Sequence, residues 1–533
     1  MSNLLDKSSI VLTPTAYDNS KVLCVKPSDG SGDFDFSRNS AATRVNAQGL
    51  VENVQILSSN LVVNGDFATD SDWTKVNSTI SGGKGNLDST SGTSLLFQSA
   101  LVVGKTYKGT LDVTNYNGLG TCALINSNGV TQFEITSNGS KEFNFTQGGS
   151  SSNLSFRAIS GGIFSITNIS IIEITDDTNL PRINYEGFSY DGSGNVVPDS
   201  GCGSWLFEPQ STNLITQSEL FSDATWTKVG GGAADDTIIT SNYATSPDGT
   251  NNASRAQFNA VGTANGDRAN LYANINVTSG ETFTMSFYGK SATATDEEVV
   301  LRMGSVQQVS VTLTQEYQRF SHTYTVTSSG AKNFGIQIRG NSAVTTADII
   351  IWGFQVEAQS YATSYIPTSG STVTRNQDVC NNGGSLASIN STEGTLYAEI
   401  AVLSADNINR YLSLSNGTDD NSISFHFRNN ANNQIRVILK SGNVNQFDST
   451  YNPSGSTDFA KVAFKYKVND FALWVNGIEI ATDTSGITFP IDTLNRLSFD
   501  DGNGASKFFG KTKALAVWKE ALSDQELTEL TTI

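Results

Sequence analysis

The chain is short of histidine, cysteine, methionine, proline and charge. Its 533 residues include 2 histidines, His322 and His426, in different parts of the sequence. A Ser-His-Asp or Cys-His site would have to be built on one of them, and a histidine-rich metal cluster cannot form. No G-x-S-x-G elbow is present. The 4 cysteines, Cys24, Cys122, Cys202 and Cys380, lie far apart with no C-x-x-C. That spacing argues against zinc and redox motifs and fits four small buried hydrophobes. Charged residues make up 16% of the chain, against about 25% in ordinary globular proteins. The 33 basic and 51 acidic residues give a net charge of −18. No basic cluster offsets it, so no nucleic-acid partner is expected and anionic membranes are disfavoured. No run approaches the ~18 apolar residues of a membrane helix, so no membrane insertion is expected. The opening Met1-Ser2-Asn3-Leu4-Leu5-Asp6-Lys7 lacks a basic flank and apolar segment. The expectation is a protein without a signal peptide, made in the cytoplasm.

What is present is 48 glycines, 28 phenylalanines, 16 tyrosines and 6 tryptophans, set among many Ser, Thr and Asn. The aromatics can fill several cores, and the length suits three or four domains of ~100–200 residues. Abundant Thr, Val, Phe and turn formers, without the Ala, Glu, Lys and Leu of bundles, predict an all-β protein.

A duplication is visible. Asn60-Leu61 precedes Phe67 and Trp73-Thr74-Lys75-Val76, and Asn213-Leu214 precedes Phe221 and Trp226-Thr227-Lys228-Val229. Such a long repeat period points to a duplicated domain rather than a solenoid unit. Each copy closes on an apolar segment, Phe164 to Ile172 and Asp348 to Val356. Phe283, Met285 and Phe287 alternate with small polar residues, as do Phe320, His322, Tyr324 and Val326. This period of two predicts sandwich strands with one buried face. Residues 369–389 form a polar boundary. Beyond it, the Ile423–Arg428 stretch alternates, with His426 predicted on a solvated face. Asn476-Gly477 between strand formers predicts a type I′ hairpin. Ser523 and Glu526 form a capping box, with Leu522 and Leu527 as the staple, for one short C-terminal helix.

Few motifs carry chemistry. Gly104-Lys105-Thr106 and Gly510-Lys511-Thr512 lack the glycine five positions earlier that a phosphate loop needs, and both read as strand-edge turns. Asp419-Asp420 and Asp500-Asp501-Gly502-Asn503 offer oxygen ligands without EF-hand spacing. Trp73 and Trp226 occupy equivalent repeat positions, which suggests core residues. Tyr243, Tyr272, Tyr288, Asn251 and Asn252 are candidate sugar contacts. A carboxylate pair for glycoside hydrolysis has no local signature.

The segment Phe36-Ser37-Arg38-Asn39-Ser40-Ala41-Ala42-Thr43-Arg44-Val45-Asn46, with Gly49-Leu50-Val51-Glu52, resembles one common in bacteriophage appendage proteins. Pro181-Arg182-Ile183-Asn184-Tyr185 and Leu206-Phe207-Glu208-Pro209-Gln210-Ser211-Thr212-Asn213-Leu214 resemble a companion segment, with Trp205 and Phe207 replacing smaller aliphatics. Gln355-Val356-Glu357-Ala358 and Tyr361 to Thr368 resemble the end of a jelly roll carried by such fibres. Glu393 to Glu399, Trp474-Val475-Asn476-Gly477, and Ala514 to Trp518 with Glu526-Leu527 resemble a concanavalin-like or laminin-G-like sandwich.

The resemblance implies tandem β-sandwich (jelly-roll) domains. Residues 1–59 form a small N-terminal anchor that pairs with a connector at 179–211. Residues 60–178 and 212–368 are carbohydrate-binding-module-like jelly rolls, 369–389 is a linker, and 390–533 is the concanavalin-like sandwich. It further implies a non-enzymatic virion appendage, whether fibre, spike or head decoration, that attaches to host-surface polysaccharide. Its partners would be other virion proteins and two further copies in a homotrimer. A glycan depolymerase and a bacterial adhesin are the alternatives. No cofactor is required. In the last module calcium is expected, if anywhere, at Asp500 and Asp501, and a bound glycan at Asp500, Asp501 and Asn503, where two glycines allow close approach.

Overall fold

Alternation of large apolar and small polar residues sets the strands. In Thr106–Thr114 every second residue is buried, placing Tyr107, Leu111 and Val113 inside and the threonines and lysine between them partly outside. The computed structural model describes residues 2–185, 189–190, 196–197, 203–304, 307–404, 406, 408–427, 434–453 and 457–532. Gly201, Cys202 and Arg428 lie outside them. The chain divides into two compact units, residues 55–177 and residues 1–54 with 178–533.

The 55–177 unit is a sandwich of two antiparallel sheets. One orders Gly139–Thr146, Thr106–Thr114, Ile163–Asp176, Lys84–Asp88 and Ser78–Ser81, with Ile56–Asn60 also paired to Ile163–Asp176. The other orders Thr131–Glu134, Thr121–Ile125, Asn153–Ile159, Ser94–Ser99 and Thr74–Val76. Leu96, Leu124, Phe156, Phe164 and Ile166 fill the space between them.

In the other unit, residues 238–357 build a second sandwich. Its five-stranded sheet orders Ile238–Ala244, Ala253–Asn259, Thr346–Glu357, Thr282–Ser291 and Gln318–Thr325. Its four-stranded sheet orders Arg268–Val277, Gly330–Arg339, Glu297–Met303 and Gln307–Leu313.

The repeated motif has one structural job in both places. The indole Nε1 of Trp73 donates to the Asn64 carbonyl at 3.1 Å, and that of Trp226 donates to the Gln217 carbonyl at 2.9 Å. Both rings are core residues against a phenylalanine, Phe67 and Phe221. The asparagines also correspond. Asn60 Oδ1 accepts from the Val62 and Ile171 amides, and Asn213 Oδ1 from the Ile215 and Val356 amides.

The last sandwich draws strands from far earlier in the chain. One sheet orders Ile183–Asn184, Ser204–Phe207, Gly510–Trp518, Glu393–Val402, Ala460–Lys467, Asp470–Val475 and Ile478–Asp483, and Ile10–Leu12 also pairs with Gly510–Trp518. The other orders Val444–Tyr451, Ile435–Ser441, Ser422–Phe427, Arg410–Ser415 and Arg496–Ser498. Val379–Asn381, beside Phe34–Ser37, continues past Leu497 through the Gly383–Leu497 bridge. Ile10, Phe34, Phe36, Trp205, Phe207 and Cys380 therefore share a core with Leu396, Phe425, Phe464 and Leu515.

The N-terminal segment was expected to form a small anchor and 369–389 a linker. Instead, in the N-terminal segment Ile10–Leu12 pairs with Gly510–Trp518, Phe34–Ser37 with Val379–Asn381, Thr43–Val45 with Val51–Asn53 and Ile56–Asn60 with Ile163–Asp176, and in 369–389 Val373–Arg375 pairs with Ser211–Asn213. Strands of two to four residues cannot bury their apolar faces alone, so they add to a larger core. Gly510-Lys511-Thr512 likewise opens a strand paired on both sides, not a turn, whereas Gly104 occupies a positive-φ turn.

The hairpin at Asn476-Gly477 has φ of 49° and 79°, as a type I′ turn requires. The helix Asp524–Thr531 carries the reciprocal Ser523–Glu526 capping box, and Leu522 and Leu527 are buried beneath it. A second short helix, Ser2–Lys7, was not foreseen; the Trp518 indole donates to its Leu4 carbonyl at 2.8 Å.

The phage-like segments meet in a buried ionic cluster. Arg182 pairs with Glu208 at 2.6 Å and with Asp378. Arg375 reaches Glu208 at 2.7 Å and Arg38 reaches Asp378 at 3.2 Å. These side chains are at most 4% exposed. Ser364 Oγ donates to Glu208 at 2.7 Å, and the Glu208 amide donates to Asp378 at 2.8 Å. The residues that mark the resemblance thus lock strands from four distant segments together.

Candidate functional site

The four-stranded sheet of the 238–357 sandwich has one apolar face and one polar face. Strand Arg268–Val277 points Ala269, Leu271, Ala273 and Ile275 inward, and so turns Arg268, Asn270 and Tyr272 outward. Gly330–Arg339 buries Phe334, Ile336 and Ile338 in the core and presents Gly335, Gln337 and Arg339. Glu297–Met303 buries Val299, Leu301 and Met303 and presents Val300 and Arg302.

Register brings these outward residues into rows. Tyr272 lies opposite Gly335, which lies opposite Arg302. Asn270, Gln337 and Val300 form the next row, and Arg268 faces Arg339 in the one after. With no side chain at Gly335, the Arg302 guanidinium lies over the Tyr272 ring, 5.3 Å from its centroid. A Cβ at Gly335 would fall 2.7 Å from the Tyr272 Cβ and 2.1 Å from the Leu271 carbonyl oxygen.

Beneath the arginines, buried Gln337 donates to Asn270 Oδ1 at 2.6 Å and accepts from Arg339 Nε at 3.0 Å. Asn270 Nδ2 donates to the Val229 carbonyl at 3.1 Å, helping to hold residues 227–231 along the sheet edge. Arg268 Nε donates to the Asn265 carbonyl at 2.8 Å, and Arg339 Nη1 to Asn265 Oδ1.

The charge here is one-sided. Burial lowers the pKa of Arg302, Tyr272 opposes the shift, and Arg268 adds a smaller push downward. Burial likewise lowers that of Arg339, with Arg268 and Arg302 adding to the shift. Among the described residues, none of the three arginines has a salt-bridge partner. Asp267, adjacent in sequence, accepts from the Ala233 and Ala264 amides at 2.8 Å each. Glu298 shares the outward parity but lies beyond the paired part of the ladder to Gly330–Arg339.

The other candidates are dispersed. Asp500 is 3% exposed, and its Oδ1 accepts from the Gly502 amide at 2.8 Å. Burial raises its pKa, against the pull of that hydrogen bond. Asp501 Oδ1 accepts from the Asn503 and Ala505 amides, and Asn503 Oδ1 from Ala505 as well. One carboxylate oxygen of each aspartate and the Asn503 amide oxygen thus bond within their own turn. Among the described residues no group of three or more His, Cys, Asp or Glu is placed to hold a metal.

Tyr288 is buried, Tyr243 is exposed beneath Arg255 on the opposite sheet, Asn251 donates to the Asn242 carbonyl, and Asn252 donates to Asp248 and Glu219. Of the five proposed sugar contacts, only Tyr272 joins the arginine face. His322 is half-buried. His426, expected on a solvated face, is 8% exposed. It does point away from the core, but Tyr411 packs on its ring at 4.0 Å and Ser424 Oγ bonds its Nε2 at 2.9 Å. Cys24, Cys122 and Cys380 are buried and free.

Elsewhere in this unit, a cleft of about 520 Å³ opens beside the ionic cluster, lined in part by Arg44, Glu208, Tyr288, Arg319 and Lys511. Burial pushes the Glu219 carboxyl up to about 6. Its neighbours are the Tyr365 hydroxyl at 2.8 Å and Asn252 Nδ2 at 3.1 Å.

The arginine–tyrosine face offers an aromatic surface, amide groups and several guanidinium donors on rigid strands. That combination can stack on a ring and bind oxygen substituents around it. Sequence reading passed over Arg268, Arg302, Arg339, Asn270 and Gln337. The signal was present in the alternation Arg268-Asn270-Tyr272 and Gln337-Arg339, but which strands lie side by side is not written in it.

Residues 373–528 match the family model of the concanavalin A-like lectin/glucanases superfamily. No curated protein matches the chain. Among solved structures, the chain is similar to the Ruminococcus gnavus IT-sialidase CBM40 bound to alpha2,3 sialyllactose, at 24% identity and TM-score 0.23, covering 27% of this chain and 83% of that one. It is similar to domain 4 of AbnA, an extracellular arabinanase from Geobacillus stearothermophilus, in complex with arabinotriose, at 12% identity and TM-score 0.24, covering 33% and 84%. The Caenorhabditis elegans galectin LEC-6 is similar at 16% identity and TM-score 0.19, covering 26% and 88%.

Proposed function

We propose that this chain is a glycan-binding appendage protein of a virion, a fibre, spike or head decoration that holds host-surface polysaccharide without cleaving it. The observation that carries the reading is the Tyr272–Arg302 face, an aromatic ring lying over a glycine gap and ringed by amide and guanidinium groups. The lectin-type match at 373–528 supports binding as the role of the last sandwich. The resemblance of the 36–52 and 181–214 segments to phage appendage proteins supports the virion setting. A homotrimer follows from the same reading, since several weak sites on one appendage bind a polymer far more tightly than one.

The test is incubation of the full chain with host capsule or cell-wall polysaccharide. Retention on the polymer with no release of oligosaccharides is expected. Released oligosaccharides would replace the binding role with that of a depolymerase. Mass measurement of the native protein tests the trimer, and a single strictly monomeric species at micromolar concentration would remove it.

A further inference from the structure

We infer that the face formed by Arg268, Arg302, Arg339 and Tyr272 is selective for an acidic saccharide, with the guanidinium groups taking an oxyanion carried on the sugar. This rests on the glycan-binding reading above and adds the class of ligand.

In a chain of net charge −18, an arginine would ordinarily find a carboxylate. The buried arginines Arg38, Arg182 and Arg375 do find them. The three arginines of this face do not, although carboxylates are close in sequence. Asp267 is held by the Ala264 amide of its own loop and by the distant Ala233 amide, and among the described residues Glu298 forms no ion pair with them. The Arg302 guanidinium has no hydrogen bond among the described residues and lies over the Tyr272 ring. Among the described residues the Arg268 side chain donates only through its Nε.

Packing alone does not call for this arrangement. Like charges repel, and partial burial makes the charges of Arg302 and Arg339 harder to hold. The positions are nonetheless fixed: Gln337 and Asn265 hold Arg339, Asn265 holds Arg268, and the gap at Gly335 seats Arg302 on Tyr272. An oxyanion entering among them relieves the repulsion and accepts charge-assisted hydrogen bonds from planar donor forks. The half-buried Tyr272 ring, lying under the Arg302 guanidinium, adds apolar surface beside it for a sugar ring. Charge complementarity and the stacking surface together indicate a saccharide bearing carboxylate, sulfate or phosphate. A neutral polymer satisfies the ring but leaves the guanidinium groups unpaired.

The test uses the full chain and matched polymer pairs: alginate against carboxyl-reduced alginate, and dextran sulfate against dextran. Affinity electrophoresis at two salt concentrations reads the binding. At least one charged polymer is expected to bind about tenfold or more tightly than its uncharged parent, with affinity falling as salt rises. Which pair responds identifies carboxylate or sulfate as the anion. In the variant Arg302→Gln plus Arg339→Gln, this preference is expected to disappear while the melting temperature persists. Tyr272→Ala is expected to weaken binding to charged and uncharged polymers alike.

Equal binding of each charged polymer and its parent would overturn the anion selectivity and leave the glycan reading standing. A charged preference unchanged in the double glutamine variant would overturn the assignment to this face. Failure to bind any of the four polymers would overturn the inference; binding to host polysaccharide would then decide the broader reading separately.

Discussion

Arg182 and Asp378, 196 positions apart, form an ion pair in which neither side chain reaches solvent. Glu208 bridges Arg182 to Arg375, so segments around residues 38, 182, 208 and 376 close on one point. Burying charge is unfavourable unless every partner is in place, which makes the cluster a device for specifying one arrangement of edge strands.

Removing one partner should expose that dependence. Arg182→Met leaves Glu208 and Asp378 short of a cation, and a loss of about 3–5 kcal/mol in unfolding free energy is expected. Burial opposes the ionised form of Glu208, but Arg375 and Arg182 outweigh it and hold the carboxyl well below the usual range. Its stabilisation is therefore complete above the ordinary carboxylate range and is lost as pH falls through the folded value. Glu208→Gln should show less additional destabilisation on acidification than the wild type. Urea unfolding at pH 7 and pH 3 measures both effects, and a loss under about 1 kcal/mol for Arg182→Met would contradict the role given to the cluster.

Glu219 has the opposite sign. Its carboxyl is pushed up to about 6 from 4.5 by burial, with Asp248 adding to the rise against the Tyr365 hydroxyl. A raised carboxyl pKa stabilises the folded state below about 4.5, and that contribution disappears as pH rises through about 6. Between pH 4 and pH 7 the wild type should lose up to about 2 kcal/mol relative to Glu219→Gln. Melting curves of both proteins across that range measure it, and parallel curves would show that the group does not titrate as described.

The two repeat asparagines should differ in importance despite their shared geometry. Asn213 is fully buried and also donates to the Phe354 and Ile366 carbonyls, whereas Asn60 is exposed. Asn213→Ala strands buried amides and carbonyls and should cost about 2–4 kcal/mol, while water replaces the lost bonds in Asn60→Ala, at under about 1 kcal/mol. Denaturant unfolding of each variant makes the comparison, and equal losses would mean that burial is not what separates them.

The loop at Asp500 is testable as a ligand site and as a turn. Asp500→Ala plus Asp501→Ala removes the acceptors of Gly502, Asn503 and Ala505. A self-bonded turn predicts a lower melting temperature, no calcium dependence in the wild type, and unchanged host-cell binding. A calcium-induced rise in melting temperature that the double variant loses would instead assign an ion to this loop.

Much of the fold was legible because strand periodicity, turn chemistry and capping are local. Phe283, Met285 and Phe287 declared a buried face, Asn476-Gly477 declared its turn, and Ser523 with Glu526 declared the helix start. The duplicated Trp73 and Trp226 could be placed in cores from repetition alone. His426 could not be placed: alternation said that it faces away from the core, but not that Tyr411 on the neighbouring strand would cover it.

The sequence by itself determined that this is an all-β protein with a duplicated sandwich, because side-chain alternation and aromatic repetition survive without knowledge of partners. Only the tertiary structure decided where the short outer segments belong and which residues share a face. Arg302 meets Tyr272 because two different strands flank Gly335, and Arg38 meets Asp378 because edge strands from distant parts of the chain converge. Pairing and register are set by burial of the whole core, so no local stretch of sequence carries them.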